Sequence, residues 1–107
     1  MQPSELNKIN SQLRLEISES RFFKNWANES LFHISANSLL TIKDSSFEDN
    51  FSLGRGSIIF SEFNLSKVLI SKSLFKKNYA LTGGVLYSTL NGLIEVEFSS
   101  FIENFAL

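Results

Sequence analysis

Cysteine is absent from this chain, so disulfides and thiolate metal sites are excluded and the redox compartment cannot be read from cysteine usage. His33 is the single histidine, too few for a metal site built from imidazoles or for a triad with a redundant partner, and it reads as a surface or strand residue. Long apolar runs are also missing. No stretch approaches the roughly 18 apolar residues of a membrane span, and residues 1–8 hold no apolar core of signal-peptide length. The segment is therefore expected to be soluble, without membrane insertion, and secretion is neither supported nor excluded. Neither sign of charge dominates: ten Lys and Arg stand against eleven Asp and Glu, scattered rather than grouped, so no nucleic acid or other polyanion is expected as partner. Proline occurs once, whereas phenylalanine occurs eleven times in 107 residues. At that length the chain is one domain at most. So much Phe in so short a chain raises the question of where the rings stack.

The Phe residues fall into a repeat. Phe-x-x-Asn recurs at Phe22 and Asn25, Phe47 and Asn50, Phe75 and Asn78, and Phe101 and Asn104. A serine stands two positions before each Phe, at Ser20, Ser45, Ser73 and Ser99. Seven and five positions before lie only aliphatics: Leu15 and Ile17, Leu40 and Ile42, Val68 and Ile70, Ile94 and Val96. After each Asn come an aromatic and a small residue, Trp26 and Ala27, Phe51 and Ser52, Tyr79 and Ala80, Phe105 and Ala106. Matching columns in all four copies make a tandem repeat of 25 to 28 residues.

A period of that length implies a solenoid, a propeller or an array. Inside the unit the apolar spacing is two, interrupted by one phase shift, which is strand periodicity broken by a bend. The expected fold is all-β: a parallel β-helix of about four rungs, each a coil of three short strands and three turns, stacked at about 4.8 Å per rung. The paired aliphatics and the four ladder Phe residues should point inward and be buried, the rings forming an offset column. Identical Asn side chains stacked rung upon rung can bond one another and the turn backbone, as amide ladders do in cross-β stacks. Serine at the bend can act in the same way more weakly. Glycines just before the last strand, in 54–56 and at Gly83 and Gly84, suit turns with positive φ, and the variable segments 35–38, 61–67 and 88–92 should be exposed loops.

Residues 15–107 divide into repeats at 15–39, 40–67, 68–93 and an incomplete 94–107. Residues 1–14 read as an N-terminal cap or a partial coil. Leu6, Ile9 and Leu13 have the spacing of a short capping helix behind Pro3 and Ser4, and an extra partial coil is the alternative. The fourth copy stops before its last strand, leaving an open upper edge that suits a longer parent protein, a covering partner or end-to-end self-association.

The run from Phe75 through Asn78, Ala80, Gly83 and Gly84 to Val85, Leu86 and Tyr87 resembles the polymorphic outer membrane protein repeat. That resemblance covers 15–107, closely in copy three and loosely in copy one, which lacks the glycines. It implies a right-handed parallel β-helix of the pectin-lyase-like kind and a cell-surface or extracellular, adhesin-like setting.

Such β-helices also carry polysaccharide lyases and hydrolases, so an acidic site on an outer column deserves weighing. Glu19, Asp44 and Lys72 are the nearest constellation; without a third acid or an Arg they read as a solvated face. The glycines at 54–56 and 83–84 open no helix and precede no Gly-Lys-Ser/Thr, so phosphate loops are not expected. Trp26, Phe51, Tyr79 and Phe105 form a column that could stack sugar rings or pack under a neighbouring turn. Sequons begin at Asn28, Asn50 and Asn64. The expectation is a non-catalytic structural or interaction module with no cofactor or metal, meeting an unidentified protein or glycan partner at a cell surface; the alternative is a carbohydrate-binding or polysaccharide-degrading β-helix.

Overall fold

A computed structural model describes residues 8–9, 14–34, 38–62, 66–89 and 92–106, and all of their regular structure is strand. In chain order β1 (Lys8–Ile9) precedes a first turn of β2 (Arg14–Ser18), β3 (Arg21–Phe23), β4 (Trp26–Ala27) and β5 (Phe32–Ile34). The second turn is β6 (Leu39–Lys43), β7 (Ser46–Glu48), β8 (Phe51–Ser52) and β9 (Ile59–Ser61). The third is β10 (Lys67–Ser71), β11 (Leu74–Lys76), β12 (Tyr79–Ala80) and β13 (Leu86–Ser88), and β14 (Leu93–Glu97), β15 (Ser100–Ile102) and β16 (Phe105–Ala106) begin a fourth.

Every pairing is parallel and joins strands four apart in chain order, so one circuit of the chain returns to the same sheet one layer up. The described residues form a parallel β-solenoid with four four-stranded sheets. Register follows the repeat: Leu15, Leu40, Val68 and Ile94 are partners along the first sheet, and Phe22, Phe47, Phe75 and Phe101 along the second.

Three strands per coil were expected, and each coil has four. The extra corner falls inside the Phe-x-x-Asn motif. Lys24, Asp49, Lys77 and Glu103 all sit in the left-handed region, at φ of 57°, 56°, 56° and 55°, and split a continuous strand into two. Glu19, Asp44, Lys72 and Phe98, at φ of 48° to 51°, make the preceding corner in the same way. Such backbone is unfavourable for side chains with a Cβ. Interlayer bonds hold it: Lys24 N–H donates to Glu48 O at 3.1 Å, Asp49 N–H to Lys76 O at 3.0 Å, and Lys77 N–H to Ile102 O at 2.9 Å. Gly56 and Gly83 also have positive φ, 70° and 81°, just before the fourth-sheet strand.

The core is a stack of like residues. Ile17, Leu40, Ile42, Phe47, Val68, Ile70 and Phe75 are buried together with Ile34, Ile58, Ile59 and Val85. Phe47 stacks on Phe22 at 4.7 Å and on Phe75 at 4.9 Å, the planes within 3°. Burial fails for Leu15, Val96 and Phe101, which are 37%, 42% and 42% exposed, while Phe22 and Ile94 are half-buried. These residues keep their place in the inward columns, but a neighbouring layer covers them on one side only.

Two further expectations change. Of the proposed capping helix only Lys8–Ile9 is described, and it is strand β1, in register with His33 and Ile34; Pro3, Ser4, Leu6 and Leu13 lie outside the described residues. The variable segments were expected to be exposed loops, yet their described flanks Ser38, Ser61 and Ser66 are buried. The Ser61 and Ser66 hydroxyls meet at 2.8 Å, and the Ser88 hydroxyl donates to Gly92 O at 3.2 Å, so serines line the inner corner between the fourth and first sheets. Residues 35–37, 63–65 and 90–91 lie outside the described residues, as does Leu107.

Candidate interaction surface

The structure brings Asn25, Asn50, Asn78 and Asn104 into one column just inside the corner between the second and third sheets. The side chains form a ladder with a direction. Asn50 Oδ1 accepts from the Asn25 N–H at 2.9 Å and from Asn25 Nδ2 at 3.0 Å. Asn78 Oδ1 accepts from Asn50 in the same two ways, and Asn104 Oδ1 from Asn78, all between 2.9 and 3.0 Å. Each upper amide also donates backward, to Phe22 O from Asn50 at 3.1 Å, to Phe47 O from Asn78 at 2.9 Å and to Phe75 O from Asn104 at 2.7 Å.

Ser20, Ser45, Ser73 and Ser99 repeat the pattern at the preceding corner. Each hydroxyl donates to the carbonyl two residues earlier, at 2.8 to 2.9 Å. The hydroxyls of Ser45, Ser73 and Ser99 then accept from the serine N–H one layer below, at 3.2, 3.3 and 3.1 Å. From the second layer upward both columns spend their side-chain hydrogen bonds on the stack, whereas in the first layer the exposed Asn25 makes one, through Nδ2.

Outside that corner, Glu19, Asp44, Lys72 and Phe98 line an open groove of about 680 Å³ together with Arg21, Ser46 and Leu74. They hold the bend: the N–H groups of Glu19, Asp44 and Lys72 each donate to the carbonyl one layer up at 3.2 Å. Glu19, Asp44 and Lys72 form no ion pair with one another. Phe98 takes the position where a third acid would sit, and it is 82% exposed.

Trp26, Phe51, Tyr79 and Phe105 stand on the outer face of the third sheet, opposite the small inward residues Ser52 and Ala80. Trp26 and Phe51 stack at 6.0 Å with planes 9° apart, Phe51 and Tyr79 at 4.9 Å and 5°, and Phe105 meets Tyr79 edge-on at 4.7 Å and 68°. Packing under a neighbouring turn does not describe this column, since Trp26 is 64% and Phe105 56% exposed. Sugar stacking needs a free ring face. Within the column the faces of Phe51 and Tyr79 are turned on one another, so solvent meets mainly their edges.

His33 lies on the outer face of the fourth sheet, stacked on Phe60 at 4.7 Å and 9°, with Nε2 3.3 Å from Glu62 Oε2 but outside hydrogen-bond geometry. Arg55 covers the same ring at 4.2 Å. This His–Phe–Arg cluster was missed from sequence because Arg55 reaches Phe60 out of a glycine turn whose path no periodicity predicts. Of the sequons, Asn50 is buried in the ladder, Asn28 is exposed, and Asn64 lies outside the described residues. No grouping of three or more His, Asp or Glu suited to a metal occurs among the described residues.

No family model, no curated protein and no solved structure matches the chain.

Proposed function

We propose that this chain is a non-catalytic interaction module, a segment of a β-helical, adhesin-like surface protein that meets protein or glycan partners on its flanks. One observation carries the reading: an ordered aromatic column runs along an outer face with Trp26 and Phe105 more than half exposed. Exposed aromatic rows on a rigid support suit recognition, because large rings bring contact area at little loss of side-chain freedom. The resemblance of residues 75–87 to the polymorphic outer membrane protein repeat supports the cell-surface setting. A polysaccharide-degrading reading gains little from the groove at the first corner, where carboxylates are separated by layer and the uppermost position is Phe98.

A polygalacturonate degradation assay run beside a glycan array tests the proposal. No turnover is expected. Release of new chain ends that falls on Glu19→Ala or Asp44→Ala would overturn the non-catalytic reading. Array spots abolished by Trp26→Ala in a folded variant would identify the partner as a glycan, and their absence would direct the search to proteins.

A further inference from the structure

The corner between the second and third sheets carries two neighbouring outward columns. Phe23, Glu48, Lys76 and Ile102 are register partners, and each is followed by a left-handed residue, Lys24, Asp49, Lys77 and Glu103. Their near-identical φ values aim the four side chains of the second column alike. Taken layer by layer, the charge is positive at Lys24, doubly negative at Glu48 and Asp49, doubly positive at Lys76 and Lys77, and negative at Glu103. Turned end for end, this series is its own complement.

We propose that this corner is the interface of an antiparallel, two-fold symmetric pair in which the partner is a second copy of this chain. An axis perpendicular to the stack, passing between the second and third turns, sets Glu48 and Asp49 against Lys76 and Lys77 of the second copy, and Lys24 against its Glu103. The same operation brings Phe23, 43% exposed, to Ile102, 41% exposed, and carries the exposed Trp26 towards Phe105. Charges meet opposite charges, and the Phe23 ring, with Arg21 4.7 Å and Lys24 5.0 Å from its centre, meets Ile102 over the part those cations leave open. A parallel side-by-side arrangement would oppose like charges in every layer, so the pattern also selects orientation. Among the described residues Asp49, Lys76, Lys77 and Glu103 form no ion pair, Glu48 meets the largely exposed Arg21 at 3.5 Å, and Lys24 lies 5.0 Å from the centre of the Phe23 ring. The columns stand on the amide ladder, so they are held in place before a partner arrives.

This pairing is independent of the non-catalytic reading, since an enzyme could dimerise in the same way. Sedimentation of the 107-residue chain tests it, with the variants Lys76→Glu/Lys77→Glu and Glu48→Lys/Asp49→Lys. The parent should show a concentration-dependent dimer that goes no further, because a two-fold contact closes on itself. It should be tightest at about 0.01 M salt, where charges act over about 30 Å. Each variant alone should associate about tenfold or more weakly, and an equimolar mixture of the two should recover the dimer, since the reversed charges again face opposites. Circular dichroism identical to the parent's keeps the comparison fair. A parent that stays monomeric at about millimolar concentration in low salt, or that grows into an open series, would overturn the proposal. So would variants that associate alone as the parent does, or a mixture that recovers nothing.

Discussion

The direction of the asparagine ladder makes the two ends of the stack unequal, and alanine substitution along the column measures that inequality. Asn50 and Asn78 each take part in four side-chain hydrogen bonds, accepting twice from below and donating once backward and once upward. Asn104 takes part in three, two accepted and one donated. Asn25 takes part in one, its Nδ2 donating to Asn50. Alanine at Asn78 strands a backbone N–H and an amide of Asn50 in a buried corner, whereas alanine at Asn50 strands the same two donors of the exposed Asn25. At roughly 1 to 3 kcal/mol for each buried group left unsatisfied, the expected loss is about 3 kcal/mol for Asn78→Ala and less for Asn50→Ala. Asn104→Ala strands the same two donors of Asn78, but Asn104 itself is half-buried and water can replace part of the loss, so about 1 to 2 kcal/mol is expected. Asn25→Ala removes one part-buried bond of an exposed side chain and should cost under about 1 kcal/mol.

Urea unfolding followed by circular dichroism gives the four midpoints, with the slope checked for constancy so that a shift reports stability rather than a changed unfolded state. The informative comparison is between the ends. Fraying treats the first and last layers alike, whereas the ladder predicts that Asn104→Ala is costlier than Asn25→Ala. Equal losses at those two positions, or a larger loss at Asn25, would refute the directional ladder.

Two other substitutions probe the stack. Phe47→Ala should cost about 3 to 5 kcal/mol, since the ring is fully buried between two others, while Phe101→Ala, flanked by a ring on one side only, should cost under about 2 kcal/mol; urea midpoints that do not separate the two would contradict the core. At the left-handed corner, Asp49→Val should lose about 1 to 2 kcal/mol where Asp49→Gly is neutral or slightly stabilising, and thermal melts showing valine as well tolerated as glycine would remove φ from the explanation.

The inward columns were legible because in-register stacking asks for the same side chain at the same place in every layer. Phe47 over Phe22 and Asn50 over Asn25 are visible as letters before they are visible as contacts. What the letters do not carry is direction: an Asn column looks the same whichever way its amides point. The extra corner was hidden for a different reason. Lys24, Asp49, Lys77 and Glu103 share a left-handed backbone without sharing a side chain, and none is glycine or asparagine, the usual markers of that conformation. N–H bonds to the next layer support the corners at Lys24, Asp49 and Lys77, and Glu103 takes the same φ in the last layer. Leu15, Val96 and Phe101 were misjudged because periodicity assigns a side chain to the inward face but is silent on whether another layer lies beyond it. Buried Ser61 and Ser66 were obscured by the unequal lengths of the variable segments, which break the alignment where the inner corner closes.

Inside and outside thus obey different rules, and the difference bears on function. Inward positions are constrained layer by layer, since a Phe or Asn out of place strands its neighbours above and below. Outward positions at the corners are free to vary, as Glu19, Asp44, Lys72 and Phe98 do along one column. Where chemistry is nevertheless ordered on the outside, stacking does not require it, and another cause is needed. Among the outward features with such order are the aromatic column of the third sheet and the alternating charges beside it. They lie next to each other on one flank, backed by the hydrogen-bonded Asn ladder. A rigid edge with ordered aromatics and self-complementary charge is what a recognition surface requires, so this flank is the first place to look for the protein's partners.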